Sequence, residues 1–578
     1  MTLTDGAIPQ NVVWIVNDTG VGSIGQDGVF RANGFAGGVV MVTAKVGTST
    51  FSGAITVDFS QTNSNGVSIG DMTQLLTGGS ADPVFRWLYP YDKTVFPRGL
   101  QPPLLQLDGS AASASYLKIV APHFLYEAFN GPSNPLQIQI PPDVWKGVTY
   151  SAGATDWISV SVSKLSSGSV TGPVTEKWLS AQGSLHGALY YDTYNPASNP
   201  GFGAIIRVPF GGQAATLLTN SACGITCHSI SANGRVLSAA VGVSASTTSS
   251  AVYDLDAAGN AILRPAGAVP GSLWHFAALT PDGSAGVPNI SHNMPSVLFY
   301  DVVASGLVDT SSYNYITTPT FTPLYQHMPV FSPDGKKFAY VNGDQGIKAY
   351  SWILTVMDTD LSQTPPVFSN ATDVITATAN TEWVAWPSFL PDGNAILYHR
   401  GGSWETLSRN ANIRMIDLQS GNLQKDLNAL NGYDDLGSLY LPYGVTQDGD
   451  VNYQPSALTG AVGGYYWVLF VSRRSYGNTI WSGGLGGIDR FAANTPRKKI
   501  WVSAIDIDYP NRVDPSHPAF YLDGQELASG NGRPVGIIDA CGPPGFSCQT
   551  RSDCCQGYCA ETGRDGSGVP ILQCMTLP

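Results

Sequence analysis

Charge is what this chain has least of. Only 12% of its 578 residues are Asp, Glu, Lys or Arg, and 29 basic residues face 42 acidic ones, for a formal net charge of -13. That balance excludes the basic stripe that a nucleic-acid partner requires. No apolar run approaches the roughly 18 to 20 residues of a membrane span. The first residues, Met1-Thr-Leu-Thr-Asp-Gly6, show neither a basic start nor an apolar stretch, so no secretion signal is read in them. Also missing are His-Glu-x-x-His, a P-loop and any periodicity of long helices. Gly483-Gly-Leu-Gly-Gly487 has no helix pattern after it and reads as a loop.

What the chain has instead is turn residues, 65 Gly and 39 Pro, and a phrase that it repeats. His327-Met-Pro-Val-Phe-Ser-Pro-Asp-Gly335 returns as Trp386-Pro-Ser-Phe-Leu-Pro-Asp-Gly393 and His275-Phe-Ala-Ala-Leu-Thr-Pro-Asp-Gly283. Worn copies are His228-Ser-Ile-Ser-Ala-Asn-Gly234 and His517-Pro-Ala-Phe-Tyr-Leu-Asp-Gly524. Self-similarity at this period means one supersecondary unit copied along the chain. In each copy a short apolar strand runs into Pro-Asp-Gly, where Pro fixes φ and Gly accepts φ > 0, which predicts a hairpin. A third strand then ends on an acid, at Asp254, Asp301, Asp358, Asp417 and Asp506. With a variable fourth strand, each unit is a sheet that must stack on its neighbours, and radial repetition of such sheets is a β-propeller.

Counting inner strands predicts six blades: those before Gly234, Gly283, Gly335, Gly393 and Gly524, and a divergent one at Tyr453-Gln-Pro-Ser-Ala-Leu458. The last copy runs out soon after Asp539, so closure is expected from Gly187-Ala-Leu-Tyr-Tyr191 and Gly203-Ala-Ile-Ile-Arg207. The phrase resembles the WD40-like repeat of the TolB type, over roughly residues 185 to 540. Propellers of this kind serve as receptors, platforms, hydrolases and lyases, so the resemblance leaves function open.

Six of the eight cysteines fall in the last 38 residues: Cys541, Cys548, Cys554, Cys555, Cys559 and Cys574. So small a segment has too little apolar material for a core and needs covalent crosslinks. Zinc sites usually show paired CxxC spacings and histidine, which are absent here. The spacing, with its adjacent central pair, resembles the inhibitor cystine knot, which implies Cys541 to Cys555, Cys548 to Cys559 and Cys554 to Cys574. Disulfides persist in oxidising compartments, so the protein is expected to be secreted or on the cell surface, its signal peptide removed. The other two cysteines stand in Cys223-Gly-Ile-Thr-Cys227-His228, one residue longer than the CxxCH haem-attachment motif. Three readings stay open: a local disulfide, c-type haem with His228 as the proximal ligand, or free thiols and metal.

Histidines His228, His275, His327 and His517 open predicted inner strands, which line a propeller's channel. Gathered at one mouth, they are candidate ligands for Zn, Mn, Cu or Fe. Oligogalacturonate lyases, which resemble this propeller type, imply a precedent. The unequal offsets to Gly put some of these side chains on opposite strand faces, and ring stacking is the competing reading. Asp434-Asp435 and Asp448-Gly-Asp450 are candidate Ca²⁺ ligands or solvated turns.

The N-terminal third differs in kind. Val12-Val-Trp14 followed by a Gly-rich stretch and Val39-Val-Met-Val-Thr-Ala-Lys-Val46 resembles the second half of a bacterial Ig-like domain, its first strands missing. Such a half-sandwich leaves a groove and an edge for donor-strand pairing. From Asp82 onwards, alternating strands such as Tyr116-Leu-Lys-Ile-Val120 predict a fibronectin-III-like or Ig-like sandwich. The expected all-β order is therefore an Ig-like module at 1–65, a second sandwich at 78–182, a six-bladed propeller at 183–540 and a knot at 541–578. As a whole it resembles exported proteins of myxobacteria and related soil bacteria. The function expected is binding or extracellular assembly with a protein or surface-glycan partner or with itself. The alternative is a metal- or haem-dependent enzyme, or an electron-transfer protein, using the channel mouth.

Overall fold

The repeated phrase folds as its residues dictate. In the computed structural model, Gly335 N–H donates to the Ser332 carbonyl and Ser332 N–H to the Lys337 carbonyl, both at 2.9 Å. Gly234, Gly283, Gly335 and Gly393 stand at φ of 71°, 74°, 69° and 69°, where a side chain would be strained. The acid adds a second lock, since Asp334 accepts from Ser332 Oγ at 2.7 Å and Lys336 N–H at 3.1 Å. Asn233 does the same for Ser231 and Arg235 in the worn copy.

The structure describes residues 12–25, 27–194, 196, 203–219, 228–241, 249–256, 260–263, 274–290, 300–301, 325–343, 352–363, 366–377, 382–402, 406, 410–480, 498–539, 544–548, 554, 558–564 and 569–575. They divide into two compact units, one of residues 1–186, 462–465 and 540–578, the other of residues 187–461 and 466–539.

Among the described residues of the larger unit six sheets follow one another. Sheet I runs Gly530–Ile538, Gly187–Tyr194, Gly203–Pro209, Ala215–Thr219. Sheet II is His228–Ile230, Val236–Val241, Ser249–Leu255, Ala261–Leu263, and sheet III is Trp274–Leu279, Ala285–Ile290, Tyr300–Asp301. Sheet IV is Tyr325–Phe331, Lys337–Gly343, Ile353–Asp360, Val367–Thr376. Sheet V is Trp383–Phe389, Ala395–Gly401, Asn412–Asp417, Leu423–Asp426, and sheet VI is Asn452–Ala457, Tyr465–Ser472, Lys499–Asp506, Phe520–Tyr521.

Each sheet buries its apolar face on the next, as a β-propeller requires. Ala188, Tyr190 and Ile537 of sheet I pack with Leu237 and Ala239 of sheet II. Val236 meets Leu279, and Ala278 and Val287 meet Phe331 and Phe338. Ala339, Val341 and Leu354 meet Val384 and Ile396, while Ala411 packs with Tyr453 and Val471. Ile538 N–H donates to Thr459 Oγ1 at 3.2 Å, beside sheet VI, and brings the succession back to sheet I.

Closure corrects one expectation. Gly187–Tyr194 and Gly203–Pro209 do complete a sheet with the end of the chain, but the inner strand they receive is Gly530–Ile538. The phrase ending at Gly524 supplies no inner strand: Phe520–Tyr521 is the short fourth strand of sheet VI, paired with Trp501 and Val502.

In the smaller unit Val13–Val16, Gly38–Val46 and Ser49–Val57 form a three-stranded sheet, with Gly38–Val46 central. It buries Val16, Val40 and Val42 against Val21 and Ile24. A six-stranded sheet, in the order Phe59–Asn63, Phe124–Asn130, Ala114–Ala121, Ile158–Ser166, Ser169–Ser184, Val95–Arg98, accompanies a second three-stranded sheet of Gln137–Gln139, Leu104–Leu107 and Trp87–Tyr89. The fully buried Trp178 gathers the rings of Phe96, Trp87 and Trp145 at 5.6, 6.2 and 6.4 Å. Phe59–Asn63, expected to belong to the first module, pairs in parallel with Phe124–Asn130, and the Phe59 ring stacks on Phe124 at 4.9 Å. Two helices, α1 (Ile69–Leu76) and α2 (Pro142–Ser151), were not foreseen.

At the C-terminal end Tyr558–Arg564 pairs with Pro570–Met575. Disulfides join Cys548 to Cys559 and Cys554 to Cys574, all four buried. Cys541 and Cys555 lie outside the described residues.

Ile537, 7% exposed between sheets I and II, tests the closure. Ile537→Ala should destabilise the larger unit by about 2–4 kcal/mol. Leu423→Ala, at a 50% exposed site, should stay within about 0.5 kcal/mol. Denaturant unfolding followed by tryptophan fluorescence reads both.

Candidate functional site

The inner strands of the larger unit share a local device. Met328-Pro329, Trp386-Pro387 and Gln454-Pro455 each place a residue at positive φ (53°, 57° and 50°) before a proline. The register with the neighbouring strand slips there as a β-bulge. Such bulges re-aim side chains at the rim of a sheet. Arg533-Pro534 in Gly530–Ile538 repeats the pairing, and its register slips opposite Asp192.

These bulges bring side chains of three sheets together. The Arg533 guanidinium lies 5.2 Å from the centroid of the Trp386 ring, a cation–π distance. Trp386 N–H donates to Met328 Sδ at 3.1 Å. Arg533 is also one wall of a cavity of about 110 Å³ along the inner strands. The rest of that lining is uncharged: the hydroxyls of Ser229, Ser332, Ser388, Ser456 and Thr459 stand among alanines, prolines and larger apolar side chains such as Phe331, Phe389 and Leu458.

Beside Arg533 stands a buried carboxyl. Asp192 is 4% exposed and tucked against Gly532, where an added Cβ would lie 2.0 Å from its oxygen. Burial raises its pKa to about 6, against the opposing charges of Lys498 and then Arg533. Lys498, 4% exposed, holds its ammonium 4.9 Å from the Tyr194 ring centroid. Burial lowers its pKa to about 8, opposed by Asp192 and assisted by Arg473. A carboxyl and an amine drawn towards neutrality side by side can bind an acidic group or exchange a proton with one.

Of the histidines chosen from the sequence, His228, His327 and His517 do not gather here. His228 does begin an inner strand, but it is buried, its ring nitrogens lack hydrogen-bond geometry, and its neighbour Ser229 is what lines the cavity. Burial, reinforced by Arg533, lowers its pKa to about 3 despite the Tyr190 backbone, so it stays neutral. The His327 ring lies 5.4 Å from Trp352, which stacks on Trp383 at 4.5 Å; His327 thus joins the packing between sheets IV and V. His517 Nε2 meets Asp506 Oδ1 at 3.2 Å, beside the outer strand of sheet VI. The side chain of His275, together with Cys223, Cys227 and Gly483 to Gly487, lies outside the described residues.

Among the described residues, the group of three or more His, Cys, Asp or Glu side chains close enough to share a metal is Cys548, Cys554 and Cys574. Those sulfurs are engaged in disulfides. The proposed Ca²⁺ acids are turned to protein donors. Asp434 accepts from Leu436 and Ser438 N–H, Asp448 from Ser475, and Asp450 from Asn412 and Tyr433.

Sequence reasoning missed Asp192, Lys498 and Arg533, although the residue-then-Pro signature of the inner strands includes Arg533-Pro534. One spelling points to chemistry that the structure does not build. Gly66-Val-Ser-Ile-Gly70 matches a nucleophile elbow, yet Ser68 is exposed, caps α1 by accepting from Asp71 N–H at 3.1 Å and donates to the Asp71 carboxylate at 2.8 Å.

Asp192 has a higher pKa folded than unfolded. Its share of stability is full below the ordinary carboxylate value and is lost as pH rises through about 6. Asp192→Asn should therefore flatten the fall in stability between about pH 4 and 7. What remains belongs to groups such as Asp523, raised to about 7 by burial. Lys498→Gln, which removes the largest opposing charge, should move the Asp192 step upward in unfolding curves measured against pH.

No family model matches the chain, and no curated protein matches it. Solved structures do. TolB from Acinetobacter baumannii is 11% identical with a TM-score of 0.38, over 67% of this chain and 80% of that one. The periplasmic gluconolactonase of Pseudomonas aeruginosa is 14% identical with a TM-score of 0.34, over 73% and 99%. An oligogalacturonate lyase in complex with manganese is 12% identical with a TM-score of 0.28, over 56% and 72%. Likenesses this distant give the chain no activity.

Proposed function

We propose that this chain is an exported binding and assembly protein. It comprises a six-bladed propeller, two Ig-like modules and a cystine-knot-like end, and the inner-strand face of the propeller receives an acidic group from a protein or surface-glycan partner. One observation carries the reading: a cavity lined by apolar side chains and a set of hydroxyls has Arg533 as the charged residue of its described lining, braced over Trp386. An arginine held in place is suited to carboxylate recognition, because its planar donors need little further ordering. Buried disulfides agree with export. No helix among the described residues is long and apolar enough to cross a membrane.

Assembly is the role of the first module. Ser49–Val57 is an edge strand, paired on one side with Gly38–Val46 and exposed along most of its length. Val39, Met41 and Phe51 leave apolar surface beside it. An edge of this length is a template for a further strand.

A second reading, an enzyme at the same place, has Asp192 and Lys498 in its favour as an acid–base pair. Titration calorimetry of the purified chain with peptides ending in a free carboxylate and with acidic oligosaccharides separates the two readings. Binding without turnover, weakened about tenfold or more by Arg533→Ala, is the expected result; turnover lost in Asp192→Asn would favour the enzyme. Sedimentation velocity should show association rising with concentration and suppressed by Phe51→Lys. A chain that stays monomeric throughout contradicts the assembly role.

A further inference from the structure

The smaller unit has a cavity of its own, and we propose that it binds an acidic saccharide, a sugar ring bearing a carboxylate. This site shares no residue with the propeller and stands even if the propeller binds nothing. At about 450 Å³ the cavity has the size of small-ligand sites. One side of α2 forms its wall. Pro142, Trp145, Lys146, Thr149 and Tyr150 follow the three- and four-residue spacing that lines one face of a helix. Facing them are Phe35, Thr19, Gln101 and Ser184.

These walls are fixed before any ligand arrives. Gly37 N–H donates to Ser151 Oγ at 2.9 Å, and Ser151 Oγ donates to the Gly147 carbonyl at 2.8 Å, which ties the Phe35 segment to α2. Asn33 Oδ1 accepts from Phe35 and Ala36 N–H at 3.0 and 3.1 Å. Behind the wall, Arg98 lies 5.0 Å from the Tyr150 ring centroid. It donates to the Thr149 carbonyl and to Gln182 Oε1, both at 2.8 Å.

The chemistry of the walls selects the ligand class. Phe35 and Tyr150 meet edge to face at 6.1 Å and 72°, and both are half-buried, so ring surface remains on the cavity. An aromatic face suits the C–H side of a sugar ring, and hydroxyls and amides such as Thr19, Ser184 and Gln101 suit its hydroxyl edge. The charge supplies the distinction between sugars. Lys146 holds its ammonium 4.7 Å from the Phe35 centroid and 5.7 Å from that of Tyr150, although its side chain is exposed. Among the described residues no carboxylate side chain lines the cavity, in a chain where acids outnumber bases 42 to 29. A cation so placed, with no acid in the described lining, is the complement of a carboxylate carried by the sugar.

The test is isothermal titration of the full chain with glucuronate-containing oligosaccharides, neutral gluco-oligosaccharides of the same length and inorganic phosphate. The acidic oligomer should bind and the other two should bind at least about tenfold more weakly. Lys146→Gln should weaken the acidic oligomer by about tenfold or more with an unchanged melting profile, while Lys146→Arg retains it. Phe35→Ala should weaken acidic and neutral sugars alike, and the effect of Lys146→Gln should persist in a chain that also carries Arg533→Ala, which removes the propeller's share of the heat. Equal binding of acidic and neutral oligomers, binding of phosphate as tight as that of the sugar, full affinity in Lys146→Gln, or no heat from any ligand would each overturn the proposal.

Discussion

The backbone pairing of Gly530–Ile538 with Gly187–Tyr194 is the constraint on which the larger unit depends. Without it, sheet I lacks its inner strand, and Ile537 no longer fills the core shared with Leu237 and Ala239. Two open strand edges would then face water, each a template for unwanted pairing. The entropy of joining segments so far apart in sequence grows only with the logarithm of their separation. A single nine-residue strand therefore suffices to close the unit. The same strand carries Arg533 to Asp192, so the polar cluster exists only in the closed form.

Electrostatics separates the two candidate sites. In the propeller, burial sets the titration of Asp192 and Lys498, and their mutual attraction offsets only part of the desolvation. In the smaller unit, Lys146 remains exposed, and aromatic rings rather than a carboxylate fix its position. The first site is a buried acid–base pair beside a cation, and the second an exposed cation on an apolar platform.

Much of the fold was legible because turn chemistry is local. Pro-Asp-Gly fixes a hairpin wherever it occurs, and the acids that end third strands at Asp358 and Asp417 lie where strands were expected. The helices were not legible. α2 has Pro142 at its start and Asp143 in its first turn, but it is a single short amphipathic element amid strands. The candidate site was hardly legible at all. His228, His275 and His327 do lie in inner strands, but the His228 ring is buried and the His327 ring packs on Trp352, so sequence position alone did not tell where each ring turns. Arg533-Pro534 carried the better signal, shared with Trp386-Pro387 and Gln454-Pro455.

By itself, then, the sequence determined a chain of β-hairpin units, a cysteine-stapled end and a net acidic charge. These follow from residue-level geometry and composition, which no distant contact alters. Only the tertiary structure decided which strand is innermost in sheet I, that Phe59–Asn63 pairs with Phe124–Asn130, and that Asp192, Lys498 and Arg533 share one environment. Those outcomes depend on pairing between segments far apart in the chain and on the burial that follows. Neither quantity is written in any local run of the sequence.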